Sequence, residues 1–282
     1  MSALRKLWDE LIGVRRAWAY AALVRTVERG VRGHVGLEIG GPSPLFAHDG
    51  GIPVYPFARR LDNCNFSRLT VWEGPVTEGN TFHFHEERGS GWQFVCEATD
   101  LHEIANQTYD FVVSSHTLEH IANPLRALEE WLRVLKDGGL LVIVVPHRDG
   151  TFDHRREITP LDHMVEDYDR STREDDLTHL DEILKLHDLE RDPPAGEFEA
   201  FGERSRENLH YRCLHHHVFS TRSLIMLLNY AGIQLLHVEA LLPYHIIAVA
   251  RKGGFGRRTD NSRFLRPRSG LLRRSPFPTD HL

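Results

Sequence analysis

The chain has 282 residues, which is enough for one large α/β domain or two small ones with a substantial core. Hydrophobic residues make up 41% of it and charged residues 26%, the composition of an ordinary globular protein. No apolar run approaches the roughly 18 residues that a membrane-spanning helix needs, and no secretion signal opens the chain. The three cysteines are odd in number and widely spaced, which argues against a disulfide framework. We therefore expect a cytoplasmic protein without a transmembrane segment.

The net charge of −6 is unevenly distributed along the chain. Residues 251–282 hold nine Lys and Arg against two Asp, a net charge of +7 that leaves −13 for the other residues. An acidic body argues against a nucleic-acid partner, which requires a basic surface. The tail, 253–282, is rich in Gly, Pro and Ser and is predicted to be disordered. Its basic residues and few apolar side chains would suit a weak tether to a membrane surface or to a partner.

The segment 1–33 is predicted to be helical, because apolar residues recur at helical spacing from Leu4 to Val24. An apolar run then predicts a first strand at His34–Ile39, and this strand ends in a Gly-Gly-Pro turn. Glycine at such a turn permits a positive φ and leaves the backbone bare for a ligand. The pattern is typical of the first strand of an α/β sheet that delivers its end to a nucleotide-like molecule.

The following elements alternate between strands and one amphipathic helix. In chain order we predict strands at Ile52–Tyr55, Trp92–Cys96 and Tyr109–Ser115, a helix at Pro124–Leu135, and a strand at Leu140–Val145. The last strand is apolar throughout, as central parallel strands are when both faces of the sheet are covered.

Residues 147–218 form an insertion after the fifth predicted strand, strongly charged and rich in histidine. Its clearest element is a helix predicted at Leu177–Leu189. Beyond the insertion, Ser220 is a predicted N-cap for a helix at Thr221–Tyr230. Two final strands, expected to form an antiparallel pair, are predicted at Ile233–Val238 and His245–Ala250.

About seventy residues after the glycine turn of the first strand, the residues from Tyr109 to Pro146 follow the order strand, polar cluster, amphipathic helix, Gly-Gly turn and strand. This order resembles the class I S-adenosylmethionine (SAM)-dependent methyltransferases, in particular the type 11 group. The resemblance implies a seven-stranded, doubly wound and mostly parallel sheet, the Rossmann-like methyltransferase fold, over residues 34–252. It also implies SAM as cofactor, with 147–218 as a lid. A further glycine of the family's first motif is replaced here by Gly40-Gly41-Pro42-Ser43-Pro44.

The resemblance places three residues under the methionine and ribose portions of SAM, namely Glu38, Gly40 and Gly41. A ribose needs an acceptor for its hydroxyls, usually an acid about twenty residues further on. Asp62 has that separation, with Asn63 and Asn65 as rivals, and a turn aspartate is the alternative role for Asp62.

The ends of the next two strands supply the other predicted cofactor contacts. In the resembled family an acid followed by alanine binds adenine, and Glu97 and Ala98 occupy that position. Ser115 and His116 follow the fourth predicted strand and are expected to line the methionine and its methyl group. Glu119 is expected to brace the adjoining loop.

Methyl transfer from a sulfonium requires mainly the positioning of two reactants, and a hydroxyl acceptor also needs a base to take its proton. His154, oriented by Asp153 at the start of the insertion, is the first candidate for this base. His217 is the second. Arg155 or Arg156 is a candidate for binding an anionic acceptor.

A metal site is the alternative use of these histidines, because His215 and His217 would share a face of an extended segment and an Asp-His pair could complete the ligand set. The spacing is not diagnostic, and we predict no metal. The expected function is transfer of a methyl group to an oxygen of a small-molecule or sugar acceptor. The alternatives are N- or C-methylation, and a non-catalytic SAM-fold protein that binds a partner.

Overall fold

The computed structural model describes residues 3–253, 259–266 and 269–282. Within these residues an eight-stranded sheet forms the centre of the molecule, and β3 and β4 form a separate hairpin. The strands are β1 (Val35–Ile39), β2 (Arg60–Asn65), β3 (Leu69–Thr70), β4 (Gly74–Pro75), β5 (Gly79–Phe82), β6 (Gly91–Val95), β7 (Tyr109–Ser115), β8 (Leu135–Pro146), β9 (Gln234–Leu241) and β10 (His245–Arg251).

The strand order is β5-β6-β2-β1-β7-β8-β10-β9. The five strands from β6 to β8 in this order are parallel, whereas β5 and β10 run antiparallel to their neighbours. The predicted mostly parallel, Rossmann-like sheet is confirmed, with one strand more than the seven expected. The additional strand is β5, which pairs with β6 at the edge of the sheet.

Helices cover both faces of the sheet. They are α1 (Ala3–Val31), α2 (Pro124–Val134), α3 (Leu161–Arg170), α4 (Leu180–Leu186), α5 (Phe198–Arg206), α6 (Asn208–Tyr211), α7 (Thr221–Tyr230), α8 (Ser262–Leu265) and α9 (Gly270–Arg274). No described helix is long and apolar enough to cross a membrane.

The side chains of β8 show how the two cores are separated. Leu141, Ile143 and Val145 pack with α2, α3 and α7, whereas the alternate residues, such as Val142 and Val144, pack with α1. Successive side chains of a strand point to opposite faces. A strand buried on both faces is therefore apolar throughout, which is why this part of β8 could be recognised from its composition.

Elements with strong local signals lie where they were predicted. β7 spans the predicted residues, and so does α7. At the start of α7 the Ser220 hydroxyl accepts from the N–H of Ser223, and the Ser223 hydroxyl accepts in return from the N–H of Ser220. This reciprocal pair is a capping box that satisfies two backbone donors at the helix start.

The second strand was predicted wrongly at Ile52–Tyr55. Those residues form a turn, in which Ile52 donates its N–H to the carbonyl of Leu45, and their apolar side chains pack into the core beneath α1. The strand paired with β1 is β2, whose interior residues are Leu-Asp-Asn-Cys. The polar residues of β2 are buried and hydrogen-bonded within the fold, so they hide the strand from a search for apolar runs.

The tail prediction was also wrong for its described residues. Leu271, Leu272 and Phe277 are buried, so the apolar residues expected to grip a partner contact the protein's own domain. Asp280 is buried and accepts hydrogen bonds from the hydroxyls of Thr221 (2.5 Å) and Ser275 (2.6 Å). This carboxylate anchors the end of the chain to the start of α7. Residues 254–258 and 267–268 of the predicted disordered tail lie outside the described residues.

We expect Asp280→Ala to destabilise the protein by about 1–3 kcal/mol, because it leaves the buried hydroxyls of Thr221 and Ser275 without their acceptor. Chemical denaturation measures the change in the free energy of unfolding. Asp260→Ala is the control, because Asp260 is exposed and its loss should cost less than about 0.5 kcal/mol. Equal stability of the two variants would contradict the anchoring role of Asp280.

Candidate active site

A cavity of about 820 Å³ lies at the carboxyl ends of the parallel strands. Ligands of open α/β sheets bind at this edge. Each of five neighbouring strands brings a residue to the wall, either its last residue or one that follows it: Gly40, Asn65, Glu97, Ser115 and Pro146. The insertion supplies the opposite wall, with Phe152, Glu174, Arg212 and His215 among its residues.

Gly40 and Gly41 have different roles in the turn after β1. Gly40 lines the cavity at a φ of +79°, which favours glycine, and its N–H donates to the carbonyl of Cys64. A Cβ on Gly41 would instead lie 2.1 Å from the carboxyl carbon of Glu38. The glycine at position 41 therefore makes room for a buried carboxyl group rather than for a ligand.

Glu38 lies beneath the turn and not among the residues that line the cavity. Its fully buried carboxyl group accepts from the hydroxyl of Tyr55 (2.9 Å) and from the N–H of Ser43 (3.0 Å). Burial raises the pKa of Glu38 to about 8, against the opposing effect of these hydrogen bonds. Glu38 and Gly41 therefore support the turn. Of the three residues predicted to lie under SAM at this strand end, only Gly40 lines the cavity.

Asp62 was expected at the ribose and lies elsewhere. It pairs with Leu37 in the middle of β2, where its carboxylate accepts from Arg60 (2.8 Å), the N–H of Trp92 (2.8 Å) and the hydroxyl of Tyr109 (2.9 Å). The prediction was wrong because the second strand begins later than expected. Asn65, at the end of β2, lines the cavity.

Hydrogen bonds from Asn65 and Asn63 attach the polar end of β2 to the glycine turn. The Asn65 amide nitrogen donates to the carbonyl of Gly41 at 3.0 Å, and Asn63 donates to the same carbonyl at 2.9 Å. Asn63 also accepts from the N–H of Gly41. The two asparagines therefore fasten β2 to the glycine turn, and the amide oxygen of Asn65 is left for a ligand.

Glu97 and Ala98 line the cavity after β6, as predicted for that strand end. The carboxylate of Glu97 is paired with Arg212 of the insertion, at 2.5 and 3.2 Å. Arg212 also lies 3.3 Å from Glu174 and over the ring of Phe66. This contact between the strand edge and the insertion had no sequence signal, because residues 97 and 212 are separated by 115 positions.

Ser115 and His116 line the cavity after β7. The hydroxyl of Ser115 is buried and has no hydrogen-bond partner among the described residues. His116 has a φ of +52°, and its Nε2 lies 2.9 Å from Nδ1 of His245. A buried hydroxyl without a partner is uncommon and suits the position of a polar ligand group.

None of the three predicted catalytic residues, His154, Asp153 and His217, is among the residues that line the cavity. His154 forms a hydrogen bond with Asp188 at 2.8 Å, rather than with Asp153. His217 is buried, with its Nε2 3.2 Å from the carbonyl oxygen of Ala122. Neither histidine lines the cavity, so their positions do not support the predicted role as the base.

Asp153 instead orients His215. Its Oδ2 lies 2.5 Å from Nδ1 of His215, 62 residues away in the chain, and His215 lines the cavity. The other oxygen of Asp153 accepts from Arg156 at 3.0 Å. The predicted motif of an aspartate holding a histidine is thus present with a different histidine. Arg156 is buried in this network and is not available to bind an anionic acceptor.

Glu119 and His120 complete the polar wall beside His215. The rings of His120 and His215 lie 4.6 Å apart, and Glu119 is 4.0 Å from Nε2 of His120. Burial and the charge of His215 lower the pKa of His120 to about 4. Burial opposes proton binding by His215 as well, but the Asp153 carboxylate outweighs it and raises the pKa of His215. The wall can therefore accept a proton at His215 beside a neutral His120.

Comparison with known proteins finds a family model that matches part of this chain. Residues 58–143 match the family model of the methyltransferase domain. The match confirms the predicted resemblance, the methyltransferase class and SAM as the cofactor of that class.

A curated relative of the methyltransferase domain is the ubiquinone biosynthesis O-methyltransferase of Parvibaculum lavamentivorans strain DS-1. It is 29% identical over 62 residues, which cover 22% of this chain and 24% of that protein. The chain therefore matches about a quarter of the length of this relative.

Two solved structures similar to this chain are both methyltransferases by their descriptions. One is the 1,6-didemethyltoxoflavin-N1-methyltransferase of Burkholderia thailandensis with bound S-adenosylhomocysteine, at 13% identity, a TM-score of 0.45, and coverage of 90% of this chain and 92% of that chain. The other is a SAM-dependent methyltransferase of Aquifex aeolicus, at 12% identity, a TM-score of 0.42, and coverage of 81% and 88%.

We expect the contribution of Glu38 to stability to fall as the pH rises from about 5 to about 8, because the folded protein holds a proton there that the unfolded chain has released. Glu38→Gln keeps the shape of the side chain and removes this titration. The unfolding temperature of the variant should therefore decline less over that range than that of the wild type. An exposed carboxylate replaced in the same way, Glu103→Gln, is the control. Parallel pH profiles for Glu38→Gln and the wild type would contradict the raised pKa.

Proposed function

We propose that the protein transfers the methyl group of SAM to an oxygen atom of a small-molecule or sugar acceptor. The observation that carries the proposal is one continuous cavity with two chemically different walls. The strand ends around Gly40 and Glu97 form one wall, and the Asp153–His215 pair reaches the other. A cofactor and an acceptor bound against these walls would share one space, as a direct transfer between them requires.

The strand ends fit the groups that SAM presents. Glu97 offers a carboxylate and Ala98 a backbone N–H, an acceptor and a donor suited to the edge of adenine. Asn65 offers an amide oxygen for a ribose hydroxyl, and Ser115 offers a buried hydroxyl that has no partner among the described residues. When bound, SAM supplies a methyl group on an activated sulfonium. The protein's part is to hold this group in line with the acceptor.

The insertion supplies the proton chemistry that an oxygen acceptor requires. Asp153 occupies Nδ1 of His215 and so fixes the tautomer of the ring. The remaining nitrogen, Nε2, is then the atom that takes the proton of an acceptor hydroxyl as its oxygen attacks the methyl carbon. The resulting imidazolium is stabilised by the adjacent carboxylate, in the manner of other Asp–His pairs.

Trp72 adds a flat apolar surface to the acceptor side of the cavity. It follows the short strand β3, is half-exposed, and its indole lies 5.3 Å from the ring of His120. An indole face of this kind suits an aromatic ring or the apolar face of a sugar. The acidic body of the chain disfavours a nucleic acid in that position.

The Asp153–His215 pair also favours oxygen over the alternatives. A neutral amine needs no base in order to attack, whereas a hydroxyl does. The partial curated relative is an O-methyltransferase, which agrees with this preference. A non-catalytic partner-binding protein would have no use for a histidine oriented into the cofactor cavity.

We expect His215→Gln to lower turnover by about 10²–10⁴-fold while S-adenosylhomocysteine affinity stays within about twofold, since a general base acts on the chemical step. Release of S-adenosylhomocysteine in the presence of a panel of phenols, hydroxylated metabolites and sugars measures turnover. His154→Gln is a matched control, because it removes a histidine of the same insertion that also pairs with an aspartate. Equal losses in both variants, or methylation of nitrogen acceptors alone, would contradict the proposal.

We expect Asn65→Ala to weaken S-adenosylhomocysteine binding by about tenfold, the effect of one lost hydrogen bond of about 1.4 kcal/mol. Asp62→Asn should leave the affinity of the folded protein unchanged, because Asp62 bonds only within the sheet. Isothermal titration calorimetry of both variants measures the difference. A loss of affinity confined to Asp62→Asn would restore the ribose assignment made from spacing.

A further inference from the structure

A second cluster of metal-ligating side chains lies apart from the cavity lining. His163 and Asp167 occupy α3 one turn apart, so their side chains lie on the same face of the helix. His217 approaches them from the segment that precedes α7, and His179 from the residue before α4. Three separate parts of the insertion therefore bring nitrogen and oxygen donors to one place.

The spacing of the donor atoms matches a coordination shell. Oδ2 of Asp167 lies 3.4 Å from Nε2 of His163, and His217 lies beside them with its Nδ1 buried and without a partner among the described residues, since its Nε2 faces the carbonyl oxygen of Ala122. Nε2 of His163 lies 3.0 Å from Nε2 of His179. Zinc–ligand bonds of about 2.0–2.1 Å in a tetrahedron place neighbouring ligand atoms about 3.3 Å apart. The observed separations lie on both sides of that value, so small movements of the side chains would complete the shell.

The surroundings favour metal binding over a simple hydrogen-bond cluster. Two imidazole Nε2 atoms that face each other can share only one proton, whereas a cation satisfies both lone pairs. Nδ1 of His179 lies 3.6 Å from Glu182, which is the kind of outer carboxylate that orients a ligating histidine.

The cluster also has the partial exposure that a metal site needs. The His217 side chain is 1% exposed and that of Asp167 12%, whereas that of His163 is 31% exposed. The buried side provides a dry, fixed half of the site, and the exposed side provides a path for the ion to enter. Asp167 supplies a negative charge that offsets part of the charge of a divalent ion.

We propose that His163, Asp167 and His217 bind a divalent transition-metal ion, with His179, which lies beside His163, as the candidate fourth ligand. A donor set of imidazoles and one carboxylate in this geometry fits zinc best. The ion would clamp α3 and the start of α4 to the segment that carries His217. Its role is structural, since these side chains stand outside the cavity lining. The inference does not depend on the proposed methyl transfer.

The test uses tag-free, full-length protein that has been stripped with a chelator and titrated with Zn²⁺. We expect one zinc ion per chain by elemental analysis, and an unfolding temperature that rises with added zinc. Asp167→Asn and His163→Gln should each weaken zinc binding at least tenfold and remove most of the thermal shift. His154→Gln, which alters a histidine of the same insertion outside the cluster, should bind zinc as the wild type does.

A second pair of variants separates this site from the cavity. Glu119, His120 and His215 also bring three ligand-type groups together, but at the proposed acceptor wall. His120→Gln and Glu119→Gln should leave the zinc stoichiometry unchanged. Zinc binding lost in these two variants and kept in Asp167→Asn would overturn the proposal, as would a wild-type protein that binds no zinc. If Asp167→Asn folds poorly, Co²⁺ serves as the probe instead. The intense visible absorption of tetrahedral Co²⁺ in the wild type, and its loss in His163→Gln, would then support the site.

Discussion

A buried carboxylate, Asp153, joins the two ends of the insertion. Its oxygens meet Arg156 at 3.0 Å and His215 at 2.5 Å, and Arg156 also donates to the backbone carbonyl of His215 at 2.8 Å. A buried charge destabilises a fold unless it is paired and hydrogen-bonded. Burial opposes the ionisation of Asp153, but the charges and hydrogen bonds of its two partners lower its pKa to about 2. The wall of the cavity that contains His215 depends on this network.

The contact between Asp153 and His215 also positions the residues of the insertion that precede His215. Once His215 is tied to Asp153 beyond the end of β8, Arg212 lies three residues earlier in the chain and reaches Glu97 just after β6. The Glu97–Arg212 ion pair therefore connects the sheet edge to the insertion, and the Asp153 network holds the insertion's own two ends together. In the proposed function this arrangement assigns the cofactor to the strand ends and the acceptor to the insertion, with the reacting atoms between them.

The strand β2 shows how a sheet can be built with polar residues in its centre. Asp62, Asn63 and Asn65 are all buried, yet each is hydrogen-bonded to neighbouring strands or to the glycine turn. Such satisfied polar groups specify register, because a shift of one residue would leave them buried without partners. They also interrupt the apolar pattern by which a strand is recognised. The second strand was therefore predicted too early in the chain, and the ribose contact was assigned to Asp62 on that basis.

The sequence alone determined the elements whose signals are local. The apolar run of β7, the capping serine of α7 and the glycine turn after β1 each lie within a few residues, and their positions agree with the structure. The methyltransferase class followed from the order of these elements. The tertiary structure alone decided that Asp153 holds His215 rather than His154, that Asn65 replaces Asp62 at the strand edge, and that the basic tail packs on α7. Those outcomes depend on contacts between residues separated by tens of positions, which propensity and spacing do not encode, because they arise only when buried polar groups find their partners in the folded chain.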